Sequence, residues 1–484
     1  MRAQYTREDL QGVTLWRIVT VQAGKTYRWA ETALTVPTAT GTLQILGGLL
    51  GAEIDQVAPL FSRDPESRRA SCDMNGVNIA AIRAAGYEVD GAPAEVALLR
   101  DGDAWEDRMI LLSGIVVAYE WGGYEEPLHL EIEQSAAQDR GLLPDPAWVV
   151  SADTWPYAMG EGLYYPVVLG CPGGGTISAV PAIFVESTVI GGANNYLLVA
   201  GHIVSAASVT VYDGSNSETL NIVPGVDGQG RPVSLVDLST AAVIAVDPAL
   251  AYTTSWSSPG WPTQGDDTGA GSILQAVLQQ STLPVDFGAV ASARDMLDGY
   301  KIGAFIQQPI GPLEWISSAL LPLLPVSVLT GPSGWRVVPI PIAPTRADCQ
   351  GVLEAGDGRP AVVRVGAAKK IGRDEVVNDL ALRYSLDTLS NAPSATARVG
   401  SEGHPTTFSR LSEQLYGRRV YSAETVAVYD ESTAYKVLLW RSAAFAFSRD
   451  AATYSTSQAW ASTQPGLIWL SDSRLQVEIG RAHV

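Results

Sequence analysis

In "PAEVALLRDGDAWEDRMILLSGIVVAYEWGGYEEPLHLEIEQ", residues 93–134, three apolar runs are separated by two turn clusters, "DGD" at 101–103 and "GGYEEP" at 122–127. Asp-Gly and Gly-Gly supply the positive φ that tight hairpins demand, so the runs read as consecutive strands. The last run also fixes a face. Leu128, Leu130 and Ile132 alternate with His129, Glu131 and Glu133, and successive side chains of a strand point to opposite sides. The leucines and isoleucine are expected in a core and His129 on the solvent side of an antiparallel sheet.

The same cadence organises most of the chain. Residues 1–145 read as a mostly β domain with one short helix, "VNIAAIRAAG" at 77–86, stopped by Gly86. Residues 146–268 are rich in turns ("GCPGGG", "GGANN", "YDGSNS", "GVDGQGRP") with short strands between them, the pattern of an inserted β-rich module or a decorated linker. Residues 269–349 change character. "AGSILQAVLQQS" and "VASARDMLDGY" are helical, and "LEWISSALLPLLPVSVLTGPSGWRVVPIP" is a helix followed by strands across a "GPSG" turn, giving a small α+β unit. Residues 350–477 return to β. In "EVVNDLALRYSLD", Leu380, Leu382, Tyr384 and Leu386 alternate with Asp379, Ala381, Arg383 and Ser385, and a period of two outweighs the competing helix. "SRLSEQLYGRRVYSAET" is a polar helix or loop, and "ESTAYKVLLWRSAAFAFS" a helix running into a strand. The expected fold class is mainly β and multidomain, α+β overall.

The final "EIGRAHV", 478–484, is what the codons GAG ATC GGA AGA GCA CAC GTC encode, and that string resembles a common sequencing adapter read as protein. Such a tail is expected to be an artefact with no part in the fold, and His483 to have no role.

Composition removes several classes of function. With 32 Lys and Arg against 51 Asp and Glu, the net charge is −19, which repels nucleic acid or lets it pass without sticking. The N-terminal "MRAQYTREDLQG" lacks the apolar core of a signal peptide, and the longest apolar stretch, "WISSALLPLLPVSVLTG", is broken by Pro322 and Pro325. A soluble chain made in the cytoplasm, without stable membrane insertion, is expected. Cys72, Cys171 and Cys349 are odd in number and far apart, which argues against a disulfide framework or a clustered metal site. "GCPGGG" at 170–175 lacks the Lys-Ser/Thr tail of a phosphate loop.

The residues bear on three kinds of chemistry. His202, in "YLLVAGH", follows a small apolar run as the base of trypsin-like proteases does, and His202, Asp237 and Ser333 occur in the His, Asp, Ser order of those enzymes. Ser333 lies in "LTGPSGW", however, which reads as a turn and lacks the glycine-flanked serine whose N–H groups build an oxyanion hole. His202 is therefore expected to cap or pack at the end of a strand. His129, His202 and His404 are isolated from one another, with no HExxH spacing, and 51 acidic residues single out no carboxylate pair. Aromatic clusters in "TWPYAMGEGLYYPVV" and "AYTTSWSSPGWP" bracket the 146–268 segment, either packing it or forming a receptor patch. No catalytic, cofactor-binding or metal residue is assigned.

Several blocks taken in order resemble a known family. "DAWEDRMILLSGIVV" (103–117) is similar to a strand pair in the first domain of phage tail hub proteins, and "LEWISSALLPLLPVSVLTGPSGWRV" (313–337) to their middle domain. "RDEVVNDLALRYSLD" (373–387), "SEQLYGRRVYSAETVAVYDESTAYKVLLW" (412–440) and "GLIWLSDSRL" (466–475) resemble the last barrel. The resemblance implies a baseplate or tail-tip hub of a tailed bacteriophage or gene-transfer particle. Two tube-protein-like β-barrel domains, 1–145 and a truncated 350–477, would flank the α+β unit and the inserted module. It further implies a homotrimer that adapts a six-fold tail tube to a three-fold central fibre or spike. The distal tail or tail-tube protein and the tape-measure protein would be neighbours, and DNA would be met only in transit through the pore. The family location is the virion tail tip, after synthesis in the host cytoplasm. Some long-tailed members hold an iron–sulfur cluster, which needs about four cysteine thiolates; three scattered cysteines do not supply them, and no cofactor is expected. The alternatives are a receptor- or carbohydrate-binding tail-tip protein and, third, a cell-wall hydrolase.

Overall fold

The computed structural model describes residues 14–55, 68–75, 79–122, 126–134, 136–172, 179–187, 194–256, 260, 269–331, 334–341, 345–349, 351–355, 362–387, 392–456, 468–472 and 477–482. The protein is mostly β and multidomain.

The first nine strands and one helix are β1 (Leu15–Ala23), β2 (Lys25–Ala30), β3 (Leu34–Thr38), β4 (Gly41–Gly47), β5 (Leu49–Asp55), β6 (Arg68–Met74), α1 (Ile79–Ala84), β7 (Pro93–Arg100), β8 (Met109–Trp121) and β9 (Leu128–Gln134). Their order is β3-β4-β2-β1-β7-β8-β9-β6-β5. β4 and β5 are two halves of one strand, interrupted only at Gly48. The first half pairs with β2 in parallel, Trp29 opposite Leu46, and the second with β6, Ala52 opposite Cys72. One piece of chain therefore reaches both sides of the sheet and closes it into a ring. At the joint Gly48 donates its N–H to Ala30 O (3.0 Å) while its carbonyl accepts from Asn75 N (2.7 Å). Its φ is +127°, and a Cβ there would lie 2.8 Å from Asn75 O, so only glycine fits. Alternation fills the interior: Ala70, Cys72 and Met74 of β6 and Leu128, Leu130 and Ile132 of β9 meet Val19, Val96 and Leu112, and α1 adds Ile79 and Ile82. The β3–β4 hairpin folds Val36 and Ile45 over the outer side of Ile18, Ala30 and Leu99.

The next eight strands are β10 (Tyr157–Ala158), β11 (Val167–Gly170), β12 (Val180–Ser187), β13 (Asn194–Ala200), β14 (Ser208–Tyr212), β15 (Ser217–Val226), β16 (Pro232–Asp237) and β17 (Tyr252–Ser255). Seven of them follow the order β10-β12-β13-β16-β15-β14-β17, and β17 returns to β12, so the segment read as an insert or linker holds a second ring. Two strands make its corners. β12 pairs with β17 through residues 180–182 and with β13 through 183–187; β15 pairs with β14 through 217–221 and with β16 through 222–226. Val180, Phe184, Leu197, Val209, Val211, Leu220, Val236 and Trp256 fill the interior. An arm around residues 148–165 packs Val150, Trp155 and Tyr165 onto the outer side of β12, β13 and β16. β13 and β16 are thus covered on both faces, which explains why "YLLVA" is continuously apolar rather than alternating.

β11 leaves this ring and pairs with β18 (Gly303–Ile306), following α2 (Ala270–Leu278) and α3 (Phe287–Leu297). The two backbones come so close that a Cβ on Gly303 would lie 2.4 Å from Cys171 C. α4 (Pro312–Trp315), a π turn over Ile316–Leu320, and the hairpin of β19 (Val326–Gly331) and β20 (Gly334–Pro339) complete this α+β unit. Its core joins Ile273, Leu274 and Val277 to Val290, Leu313, Ile316, Val328 and Trp335.

The remaining elements are β21 (Gly351–Ala355), β22 (Val362–Ile371), β23 (Asp379–Asp387), β24 (Ala392–Val399), α5 (Thr407–Tyr416), β25 (Val420–Glu424), α6 (Glu431–Phe445), β26 (Arg449–Thr456), β27 (Ile468–Asp472) and β28 (Val477–Ala482). Where the second tube-like barrel is expected, the pairings among the described residues make two sheets, β26-β22-β21-β27-β28 and β24-β23-β25. β23 is the strand that its period of two predicts: Leu380, Leu382 and Tyr384 lie under Ala434, Val437 and Leu438 of α6. The Asp430 carboxylate caps α6, accepting from Ser432 N (3.1 Å) and Thr433 N (2.8 Å). Trp440 of α6 donates its indole N–H to Ile340 O (3.1 Å), and Gly303 N donates to Ala427 O (2.9 Å), which tie this region to the α+β unit.

Candidate functional site

His202 sits just past the end of β13, where the chain turns away from the ring. Its Nε2 accepts the Val168 N–H (3.1 Å), so that nitrogen is unprotonated. The proton is then on Nδ1, which donates to Ile203 O (3.2 Å). Burial pushes the imidazole down to about 4, with the Ile203 carbonyl opposing the shift. Next to it, Ser234 Oγ donates to His202 O (2.8 Å) and accepts from Val204 N (3.1 Å). Asp237 turns to its own helical turn, accepting from Ser239 N (2.9 Å) and Ser239 Oγ (2.6 Å). Ser333 lies outside the described residues. A general base needs a free nitrogen and a proton affinity near neutrality. His202 has both nitrogens engaged and holds the strand end to β11, as expected of a packing residue.

The other histidines are placed separately. His129 lies on the outer face of β9, with Nδ1 2.8 Å from Asp73 Oδ1, and His404 stacks edge-on against Tyr435. Among the described residues no three His, Cys, Asp or Glu side chains converge as a metal-binding group. Cys72 and Cys171 are buried, and burial raises their thiols to about 12 and about 11.

The aromatic clusters around the second ring are mostly interior. Trp155 Nε1 donates to Tyr165 Oη (2.9 Å), which donates to Asp227 Oδ2 (2.9 Å). Arg231 Nε meets the same carboxylate at 2.8 Å, and its guanidinium lies over Trp148 and Tyr165. This buried network fastens the 148–165 arm. Tyr157, Met159 and Leu163, by contrast, are exposed on that arm.

The most unusual surface is on α5. Thr406 and Ser409 form a reciprocal cap: Ser409 N donates to Thr406 Oγ1 (3.0 Å), and Thr406 N donates to Ser409 Oγ (2.9 Å). Residues three, four or seven apart share a helix face. The face carrying Ser409 and Ser412 is buried, with Ser412 Oγ accepting from Asn378 Nδ2 (3.1 Å). The stripe of Phe408, Leu411 and Leu415 is instead 46%, 48% and 68% exposed. Val420, Val426 and Leu439 are also exposed in the segments that follow. A surface helix normally does the reverse, with its apolar stripe on the core. Apolar side chains exposed together on one helix face make this a candidate contact surface. The sequence carried the signal in the spacing of 408, 411 and 415, but not its direction.

No family model matches the chain, and no curated protein matches it. Among solved structures, it aligns with a 43 kDa tail protein of prophage MuSo2 from Shewanella oneidensis, at 10% identity over 96% of this chain and 89% of that one, with a TM-score of 0.34. A chain from the virion of a native gene transfer agent particle aligns over 54% of this chain and 85% of that one, at 15% identity and a TM-score of 0.23. Scores of this size assign no role to any residue of this chain.

Proposed function

We propose that the chain is a non-enzymatic structural subunit of a phage-like tail: a tail-tip or baseplate hub that assembles as a homotrimer. In this reading it joins a six-fold tail tube to a three-fold fibre or spike and forms part of the channel for DNA ejection. The observation that carries it is the outward apolar stripe of α5, which suits a subunit built to be covered by its neighbours. The ordered blocks at 103–117, 313–337 and 373–475 support the hub assignment, and the acidic composition suits a channel through which DNA slides without binding. The test is the mass of the purified full-length protein by analytical ultracentrifugation. Three copies of the 51.3 kDa chain are expected; a monomer at all micromolar concentrations overturns the reading, and release of sugar or peptide from cell walls favours a hydrolase.

A second reading, receptor or carbohydrate binding, is favoured by Tyr157, Met159 and Leu163 on the arm of the second ring. Removing residues 151–265 would also remove β11, the partner of β18. Substituting the three exposed side chains with serine is the cleaner test. Loss of particle adsorption with assembly intact supports binding by the arm.

A further inference from the structure

The outer face of the first ring carries a second arrangement of Ser, His and Asp. Ser71 and Asp73 lie two residues apart on β6, so they share the face opposite the buried Cys72, and His129 of β9 stands directly across from Asp73. His129 Nδ1 is 2.8 Å from Asp73 Oδ1, and its Nε2 is 3.5 Å from Ser71 Oγ. A carboxylate only accepts, so Nδ1 carries the ring proton, and the neutral imidazole presents Nε2 as an acceptor to the serine hydroxyl. Among the described residues Ser71 Oγ has no other partner. His202 differs on this point, because a backbone N–H occupies its Nε2.

Carboxylate, imidazole and hydroxyl in this order form the relay in which a histidine removes a serine proton and a carboxylate fixes the tautomer. All three side chains are half-buried. The Nε2 to Oγ separation is long, as such contacts are before a substrate tightens them. Across β6 from Asp73, β5 places Gly51, where a Cβ would meet nothing within 4 Å, so the face is open on that side.

Two features restrict the chemistry. β6 is paired on both sides, so its backbone N–H groups enter ladders and do not form an oxyanion hole beside the serine. Glu53 and Glu131 stand opposite Ser71, and Glu120 opposite His129, on the same face, which disfavours anionic acyl donors.

We propose that Ser71 is a reactive nucleophile, with His129 as its base and Asp73 as the positioning residue, and that it is acylated by neutral activated esters. The bond from Ser71 Oγ to the acyl carbon forms as the ester bond to the leaving oxygen breaks. The serine proton passes to His129 Nε2 and from there to the departing oxygen. Without oxyanion donors the acyl-serine is hydrolysed slowly, so each chain is modified once and does not turn over. A single acylation leaves the non-enzymatic reading above as it stands, and oligomeric mass plays no part in the test.

The probe is p-nitrophenyl acetate with the full-length protein, and peptide mass spectrometry locates the acetyl group. Ser71 is expected to be acetylated at least about 100-fold faster than any other serine of the chain, the lower end of what a positioned base supplies. His129→Gln is expected to bring Ser71 down to the rate of the others, and Asp73→Asn to slow it at least about 10-fold. The positioning role has its own readout. In protein labelled with heavy-nitrogen histidine, the ring resonances of His129 are expected to show the proton on Nδ1, and Asp73→Asn to remove that preference. Wild-type Ser71 that reacts no faster than the other serines overturns the proposal, a comparison that needs no variant to fold. An unchanged rate in a folded His129→Gln protein overturns it too. Acetyl found on His129 makes the imidazole the nucleophile and overturns the role of Ser71, and a wild-type proton on Nε2 overturns that of Asp73.

Discussion

His202 should make the protein lose stability in mild acid, and the size of that loss can be worked from the burial of its ring. In the folded chain the imidazole is held neutral, with a proton affinity lowered from 6.5 to about 4. Once the chain unfolds, the ring returns to about 6.5. Between these two values the unfolded state binds more protons than the folded state, so stability rises with pH. The contribution is fully present above about pH 6.5 and is lost progressively as the pH falls towards 4. At 1.36 kcal/mol per pH unit the full shift corresponds to about 3 kcal/mol; the ring is partly open to solvent, and about half of that is expected. His202→Gln is the informative variant, because its amide oxygen can accept the Val168 N–H without titrating. Urea unfolding of both proteins from pH 7.5 to 4 gives a difference curve in which most other titrations cancel. The wild type should lose about 1–2 kcal/mol more than the variant over this range. A flat difference curve, or a His202 ring resonance titrating near 6.5, would refute the argument.

His202→Ala leaves the buried Val168 N–H without an acceptor and is expected to cost about 1–3 kcal/mol at pH 7.5, read by the same unfolding curves. Asp227→Ala strands the Arg231 guanidinium beneath Trp148 and Tyr165. A loss of about 3–5 kcal/mol and faster proteolysis within the 148–165 arm are expected. Gly48→Ala forces a Cβ against Asn75 O at a positive φ and should cost about 1–3 kcal/mol in chemical unfolding, with Gly51→Ala as a milder control in open space. Asp430→Ala removes the cap of α6 and should cost about 1 kcal/mol.

Local patterns were legible in the sequence where both partners of a contact lie close together. The hairpins of 93–134 and the alternation of β9 and β23 could be read directly, and α1, α2, α3 and α6 fall where their composition places them. Ring closure was not legible, because it depends on pairings far apart in the chain, such as Val180 with Thr254 and Trp29 with Leu46. The turn clusters of 146–268 look like those of a linker until residues 252–254 are seen to return to β12. β13 and β16 are covered on both faces, which erases the period of two that would have marked them. The segment of α5 read as a polar helix or loop and is a helix, but which of its faces is buried was not legible, for a different reason. "TFSRLSEQLY" contains a regular apolar stripe, but Ser412 is small enough to sit close against Asn378, whose amide donates to its hydroxyl, while the N-cap Thr406 hydroxyl meets that of Ser442. That contact determines which side faces inward. Of the triad considered from sequence, the structure commits His202 and Asp237 to local bonds.

The corner strands have a consequence for how such a chain survives before it meets its partners. An unpaired strand edge can add a strand from any passing chain, with little regard to sequence. Here the strand broken at Gly48 and the divided strands β12 and β15 each serve two neighbours, so the backbone hydrogen bonds around both rings are largely spent internally. Any contact that the rings make with another molecule would then be read through side chains, whose shape and charge discriminate between partners. Within the two rings strand addition therefore finds few open edges, and the sheets with free edges among the described residues lie outside them.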